Sequence, residues 1–231
     1  MIKYKAVIFD LDGTLIDSMQ LWRNVDTEFL NSRGIEVPEN LFDNLPHGNS
    51  FIQTARYFKE RFALPDSPES IMQEWTDMVS HHYETDVPLK AGVEKLIQEL
   101  SRSFIPLGVG TSNSYELAQK ALQHNKVWHY FRCVVTGDLH MKGKPFPDIY
   151  LQAAKELDTD PADCLVIEDT LTGVQAGKAA GMSVLAIYDA DSIEHHPRIK
   201  ALADGFYMDY LSLERAIFGS GNYHGFSTIK D

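Results

Sequence analysis

Apolar positions along this chain fall into two kinds of pattern. Short unbroken runs occur at Ala6-Val7-Ile8-Phe9, Ile105 to Gly110, Cys133 to Thr136, Cys164 to Glu168, Val184 to Ile187 and Gly205 to Tyr207. Runs of that length, bounded by turn residues, predict strands buried on both faces. Between them the period is helical. Leu21, Val25, Phe29 and Leu30 make one stripe that Gly34 ends; Ile52, Ala55 and Phe58 make a second over roughly Phe51 to Phe62; Ile71, Trp75, Met78 and Val79 make a third over about Ser70 to Tyr83. Pro38 to His47 reads as a short helix or loop, and nothing between Ser18 and Asp86 has strand character. From Val93 onward, helix and strand alternate, with helices at Val93 to Ser101 and about Tyr115 to His124. Strands alternating with helices predict an α/β fold, a parallel sheet covered on both faces. The roughly 70 residues 18–87 interrupt it as an all-helical insertion, leaving 1–17 and 88–219 as the core. Residues 220–231 lack periodicity and read as a loosely held tail.

Composition narrows the function classes. The 231 residues carry 33 Asp+Glu against 21 Lys+Arg, a net charge of -12, which repels nucleic acid and anionic membrane surfaces. A small anionic substrate stays compatible, because a bound metal and a few local cations can dominate a cleft. No apolar run approaches the ~20 residues of a membrane span. The start Met1-Ile2-Lys3-Tyr4 lacks the apolar stretch of a secretory signal, and Cys133 and Cys164 both fall in predicted buried strands. The expectation is a cytoplasmic monomer with reduced thiols and no membrane or nucleic-acid partner.

The polar residues that end the strands carry the candidate chemistry. Asp10-Leu11-Asp12-Gly13-Thr14 follows the first run, and on an extended chain Asp10 and Asp12 project the same way. Such a pair suits either an Asx-type turn or a site that needs a metal or general acid/base work. Thr111-Ser112-Asn113 precedes a helix and reads equally as an N-cap and as an anion site. Lys144 is held between Gly143 and Pro145, where the backbone is restricted. Glu168-Asp169 ends the fourth run and either caps the small-residue helix Gly173 to Gly181 or forms a second acidic pair. If both pairs reach one crevice, four carboxylates converge, and a hard divalent cation is what makes that tolerable. The adjacent pairs His81-His82 and His195-His196 point about 100° apart on a helix and read as solvated surface.

Taken in order, Asp10-Leu11-Asp12-Gly13-Thr14, Thr111-Ser112, Lys144-Pro145 and Glu168-Asp169 resemble the four motifs of the haloacid dehalogenase-like hydrolase superfamily. The branch is that of β-phosphoglucomutases, phosphoglycolate phosphatases and sugar- or nucleotide-phosphate phosphatases. The resemblance implies a Rossmann-like doubly wound parallel-sheet core with an inserted all-helical cap, residues 18–87. It implies Mg²⁺-dependent hydrolysis of a small phosphorylated metabolite, a sugar phosphate or nucleotide-like monophosphate, through an aspartyl-phosphate. Asp10 would be the nucleophile and Asp12 the general acid and base, while Thr111, Ser112, Asn113 and Lys144 would hold the phosphoryl group. Asp10, Asp12 through its carbonyl, Asp169 and Glu168, directly or through water, would hold Mg²⁺. A dehalogenase would need neither metal nor the second acid. A mutase would need polar cap groups where a loose alignment puts Trp22 and Phe51, so hydrolysis is favoured, with the mutase as the alternative and a phosphoglycolate phosphatase or a non-catalytic binder behind it. Trp22 and Asn49, in the insertion, are the candidate leaving-group contacts, and a cleft-facing Trp22 would suit a ring-bearing leaving group. The cap would hinge near Ile16 to Ser18 and Pro88 to Gly92.

Overall fold

In the computed structural model, which describes residues 3–41, 51–137 and 141–219, every predicted run becomes a strand. They are β1 (Ala6–Phe9), β2 (Leu107–Gly110), β3 (Phe131–Val135), β4 (Cys164–Glu168), β5 (Ser183–Ile187) and β6 (Gly205–Tyr207). The sheet order is β3-β2-β1-β4-β5-β6 with all neighbours parallel, so the chain winds one way from β1 through β2 to β3 and the other way from β4 outward. The order reverses between β1 and β4, the place where open parallel sheets open a crevice at the strands' carboxyl ends. The period-2 alternation of β1 and β4 sorts two cores. Val7, Phe9, Leu165 and Ile167 pack on one face, and Ala6, Ile8, Cys164 and Val166 on the other. Both cysteines are buried free thiols, as the strand placement predicts.

The described residues of the insertion form the three expected helices, α1 (Met19–Ser32), α2 (Phe51–Arg61) and α3 (Pro68–Thr85), and most of the Pro38 to His47 segment lies outside the described residues. Gly34, at a φ of 67°, ends α1, while Ser67 caps α3 by accepting from the Ser70 N–H at 3.1 Å. Phe29, Phe58 and Trp75 meet edge-to-face inside it, one from each helix. The remaining helices are α4 (Val93–Arg102), α5 (Tyr115–His124), α6 (Asp148–Glu156), α7 (Leu171–Ala179), α8 (His196–Leu202) and α9 (Tyr210–Phe218). The two linkers of the insertion are tied together: Ile16 bridges Leu89, and Asn125 bonds the Leu89 N–H and the Val87 carbonyl. Among the described residues, no helix is long and apolar enough to cross a membrane.

Two expectations meet corrections. Strand β1 stops at Phe9, and the chain turns before Asp12, so Asp10 and Asp12 do not project together from one extended segment. His196 is buried, not solvated: its ring packs on Tyr188 and Phe206, and Nε2 lies 3.0 Å from the Asp189 carbonyl. His81 and His82 do lie on the outer part of α3, where His82 pairs with Asp86.

Asp26, on α1, is buried with no hydrogen bond among the described residues, and burial alone pushes its carboxyl up to about 7. A carboxyl whose folded-state pKa is raised costs nothing while it is protonated in both states. Its cost begins as pH passes the ordinary carboxylate value near 4 and is complete above about 7. Asp26→Asn is therefore expected to raise stability at pH 8 by on the order of a few kcal/mol and to change little at pH 4. Urea unfolding at the two pH values checks this; equal effects at both would contradict it.

Candidate active site

Parallel register brings the strand-end residues together. Phe9 pairs with Val109 on one side and with Ile167 on the other, so Asp10, Gly110 and Glu168 come level at the switch point, with Thr111 one residue beyond. The Asp10 N–H donates to the Ile167 carbonyl at 3.0 Å, and that of Thr111 to Val135 at 3.0 Å. Asp10 and Glu168 share the sheet face of Ile8 and Val166, where Lys144 reaches both. Lys144 Nζ lies 2.5 Å from Asp10 Oδ1 and 2.7 Å from Glu168 Oε1, and all three side chains are buried.

Glu168 is fully engaged. Oε1 also accepts from the Tyr150 hydroxyl at 3.1 Å, while Oε2 accepts the N–H of Asp169 at 2.8 Å, the N–H of Thr170 at 2.6 Å and its hydroxyl at 2.9 Å. Gly173 is required there, because a Cβ at that position would run into the Glu168 carboxylate. Asp169 accepts from Thr14 Oγ1 at 2.6 Å. Gly13, at a φ of 76°, brings the turn against it, and a Cβ on Gly13 would stand 2.5 Å from Asp169 Oδ2. Lys90 closes the far side of that turn, donating to the Gly13 carbonyl at 2.6 Å and to Asp189 at 2.8 Å.

Asp12 faces the helical insertion. Its Oδ1 accepts from Ser18 Oγ at 2.6 Å, from Trp22 Nε1 at 3.4 Å and from the Tyr83 hydroxyl, and its Oδ2 from Asn113 Nδ2 at 2.9 Å. Asn113 thus joins Asp12 and does not cap α5. That cap is Ser114, whose Oγ accepts from Leu117 N–H. Thr111 Oγ1 accepts the Asn113 N–H at 3.1 Å, and a Cβ at Gly137 would collide with the Ser112 backbone, so the loop after β3 lies close on this segment. Trp22 packs on Phe51 and Tyr83 with its indole N–H directed at Asp12 and Tyr83. The candidate contact Asn49 lies outside the described residues. Sequence reasoning missed Tyr83, Ser18, Tyr150 and Lys90. A signal was available for Lys90, inside the predicted linker, and for Gly13 and Gly173, which stand beside acidic motifs.

The electrostatics follow from crowding. Burial, reinforced by Glu168 and Asp12 and opposed by Lys144, pushes Asp10 up to about 7. Burial, then Glu168, Asp10 and Asp189, raise Asp169 well above the carboxylate range. Burial works against the Lys144 ammonium, but Asp10 and Glu168 outweigh it and hold it charged. Tyr83 stays protonated, raised by burial and by Asp12. Two buried carboxylates, Asp10 and Glu168, thus share one buried ammonium, with Asp169 crowded beside them. The donors are all oxygens, a set that fits a hard divalent cation. Among the described residues, no three His, Cys, Asp or Glu side chains stand close enough to form a metal site by themselves.

This geometry coincides with a family-level likeness: residues 7–187 match the model of haloacid dehalogenase-like hydrolases. The chain belongs to that family. It is 33% identical to a bifunctional riboflavin kinase/FMN phosphatase from Arabidopsis thaliana over 183 residues, covering 79% of this chain and 48% of that protein, so it spans about half of that relative's length. It is 29% identical to a fructose-1-phosphate phosphatase of Escherichia coli K12, covering 80% of this chain and 97% of that one. Among solved structures it resembles CbbY from Rhodobacter sphaeroides in complex with phosphate, with a TM-score of 0.82, 26% identity, and coverage of 92% of this chain and 96% of that one. The expected α/β fold and the expected enzyme class, a phosphatase of this family, are both borne out.

Proposed function

We propose that this protein is a Mg²⁺-dependent phosphomonoester hydrolase that works through an aspartyl-phosphate on a small phosphorylated metabolite, a sugar phosphate or nucleotide-like monophosphate. The observation that carries the reading is Asp10, a buried carboxylate at the sheet's switch point, paired with Lys144 and flanked by Glu168 and Asp169. Residues 18–87 act as a cap over the core formed by 1–17 and 88–219, with the paired linkers at Ile16 and Leu89 as its hinge.

In this reading an Asp10 oxygen attacks phosphorus in line, and the bond to the leaving alkoxide breaks. Asp12 gives that alkoxide a proton and later takes one from the water that hydrolyses the acyl phosphate. Lys144, Thr111 and the Ser112 N–H would stabilise charge on the equatorial oxygens, where a preorganised donor is worth about 3 kcal/mol; Asn113, committed to Asp12 and Tyr83, would act through them. Asp10, the Asp12 carbonyl and Asp169 would hold Mg²⁺; Glu168, with both oxygens engaged, would reach it through water. The cation, when bound, neutralises carboxylate and phosphate charge that one lysine cannot. Trp22 and Phe51 give the cap an aromatic wall with the indole N–H already engaged, which favours hydrolysis over transfer between two phosphate subsites.

The test is a panel of sugar phosphates, nucleoside monophosphates, glycerol phosphates and p-nitrophenyl phosphate, assayed for phosphate release with Mg²⁺ and with EDTA. Release is expected with Mg²⁺ and to be lost on chelation. Absence of release from every ester, or release unchanged by EDTA, would overturn the reading.

A further inference from the structure

The insertion sends a hydroxyl into the core that the four motifs do not account for. Tyr83, in the last turn of α3, is fully buried, and all three hydrogen-bonding capacities of its hydroxyl are used. It donates to Asp12 Oδ1, and it accepts from Trp22 Nε1 at 2.8 Å and from Asn113 Nδ2 at 3.3 Å. With both acceptor directions filled, its single proton has one destination. Asp12 is correspondingly lopsided. Oδ1 takes three donors, Ser18, Trp22 and Tyr83, whereas Oδ2 takes Asn113 alone among the described residues. A carboxylate oxygen has two lone-pair directions, so Oδ1 is saturated and Oδ2 has one to spare.

We propose that Tyr83 is a positioning residue for proton transfer: it pins Asp12 Oδ1 from the helical insertion, so that Oδ2 is the oxygen that gives and takes the proton. The inference rests on the hydrolase reading above. In the first half-reaction the Oδ2–H bond breaks and its proton passes to the leaving oxygen. That oxygen receives the electron pair of the breaking P–O bond, and the Asp10 oxygen bonds phosphorus. In the second half a water proton goes to Oδ2 while the water oxygen bonds phosphorus and the Asp10–phosphorus bond breaks. Two of the donors on Oδ1, Trp22 and Tyr83, belong to α1 and α3, so the carboxyl is fully aimed only with the insertion seated on the core. Seating and competence for proton transfer are thereby one event.

The experiment compares wild type with Tyr83→Phe, which keeps the ring and removes the hydroxyl. The kcat/KM value reports the first half-reaction, in which an alkyl leaving group needs the proton and p-nitrophenolate departs without it. The measured quantity is the ratio of kcat/KM for alkyl phosphomonoesters to that for p-nitrophenyl phosphate. Because both are read on one sample, the fraction of folded enzyme cancels. The ratio is expected to fall about 10-fold in Tyr83→Phe, a fraction of what a whole general acid contributes. Trp22→Phe, which removes the second donor from the insertion, is expected to lower it in the same direction. A Tyr83→Phe ratio equal to that of wild type, whatever the absolute rates, would overturn the inference while leaving the hydrolase reading standing. A wild type inactive on both ester classes would overturn the hydrolase reading and this inference with it.

Discussion

Asp10→Asn is expected to abolish phosphate release, by on the order of 10⁴-fold or more, without unfolding the protein. The substitution keeps shape, and the amide oxygen can still accept from Lys144 Nζ, which lies 2.5 Å from Oδ1 in the wild type. An amide oxygen, however, is a poor nucleophile toward phosphorus, and neither Glu168 nor Asp12 is placed to replace it. Glu168 is fully hydrogen-bonded, and Asp12 is turned toward Trp22, Tyr83 and Asn113. Stability should move the other way or not at all. Asp10 is raised to about 7 because burial and its acidic neighbours disfavour its charge, so removing that charge relieves the cluster. The checks are a phosphate-release assay and a thermal melt on the same preparation. Activity within about 100-fold of wild type, or a melting temperature many degrees lower, would contradict the assignment of Asp10 as a buried, crowded nucleophile.

Much of this was written plainly in the sequence, and the parts that were not share a cause. Unbroken apolar runs such as Cys164 to Glu168 have one plausible fate, and β4 begins and ends on those residues. Asp10 and Glu168 were readable because an acid directly after such a run cannot be core and must sit at a strand end. Lys144 was readable through the glycine and proline around it. Asp12 was placed less well, because the extended-chain argument fails where β1 stops, and Gly13 and Thr14 turn the chain. Tyr83 was invisible: it continues the Trp75 and Val79 stripe at helical spacing, so its ring reads as packing, and only the tertiary fold brings its hydroxyl to Asp12. His196 failed for the reverse reason, since adjacent-residue geometry says nothing about a short helix covered by Tyr188 and Phe206.

Lys144→Met is the substitution with the broadest expected damage, because the lysine is the counter-ion of the buried cluster and, in the proposed mechanism, the phosphoryl contact as well. Its stem and ammonium are buried, and its two carboxylate partners are buried with it. Removing one partner of such an arrangement leaves uncompensated buried charge and typically costs about 3–5 kcal/mol, enough to unfold a marginal domain. The sign with pH is fixed by the same physics. Without the ammonium, Asp10, already raised in the wild type, loses the charge that holds it down and is disfavoured further as an anion. Raised carboxyl groups withdraw stability as pH climbs from the ordinary carboxylate value near 4 up to their folded-state values, so the deficit should be largest near pH 8 and shrink on acidification toward pH 4. Adding Glu168→Gln to Lys144→Met removes one of the stranded charges, and the double variant should recover part of the stability at pH 8 and none of the activity. Urea unfolding at both pH values for the single and double variants decides it. A single variant as stable as wild type at pH 8, or a double variant less stable than the single, would mean that Lys144 does not hold this cluster together.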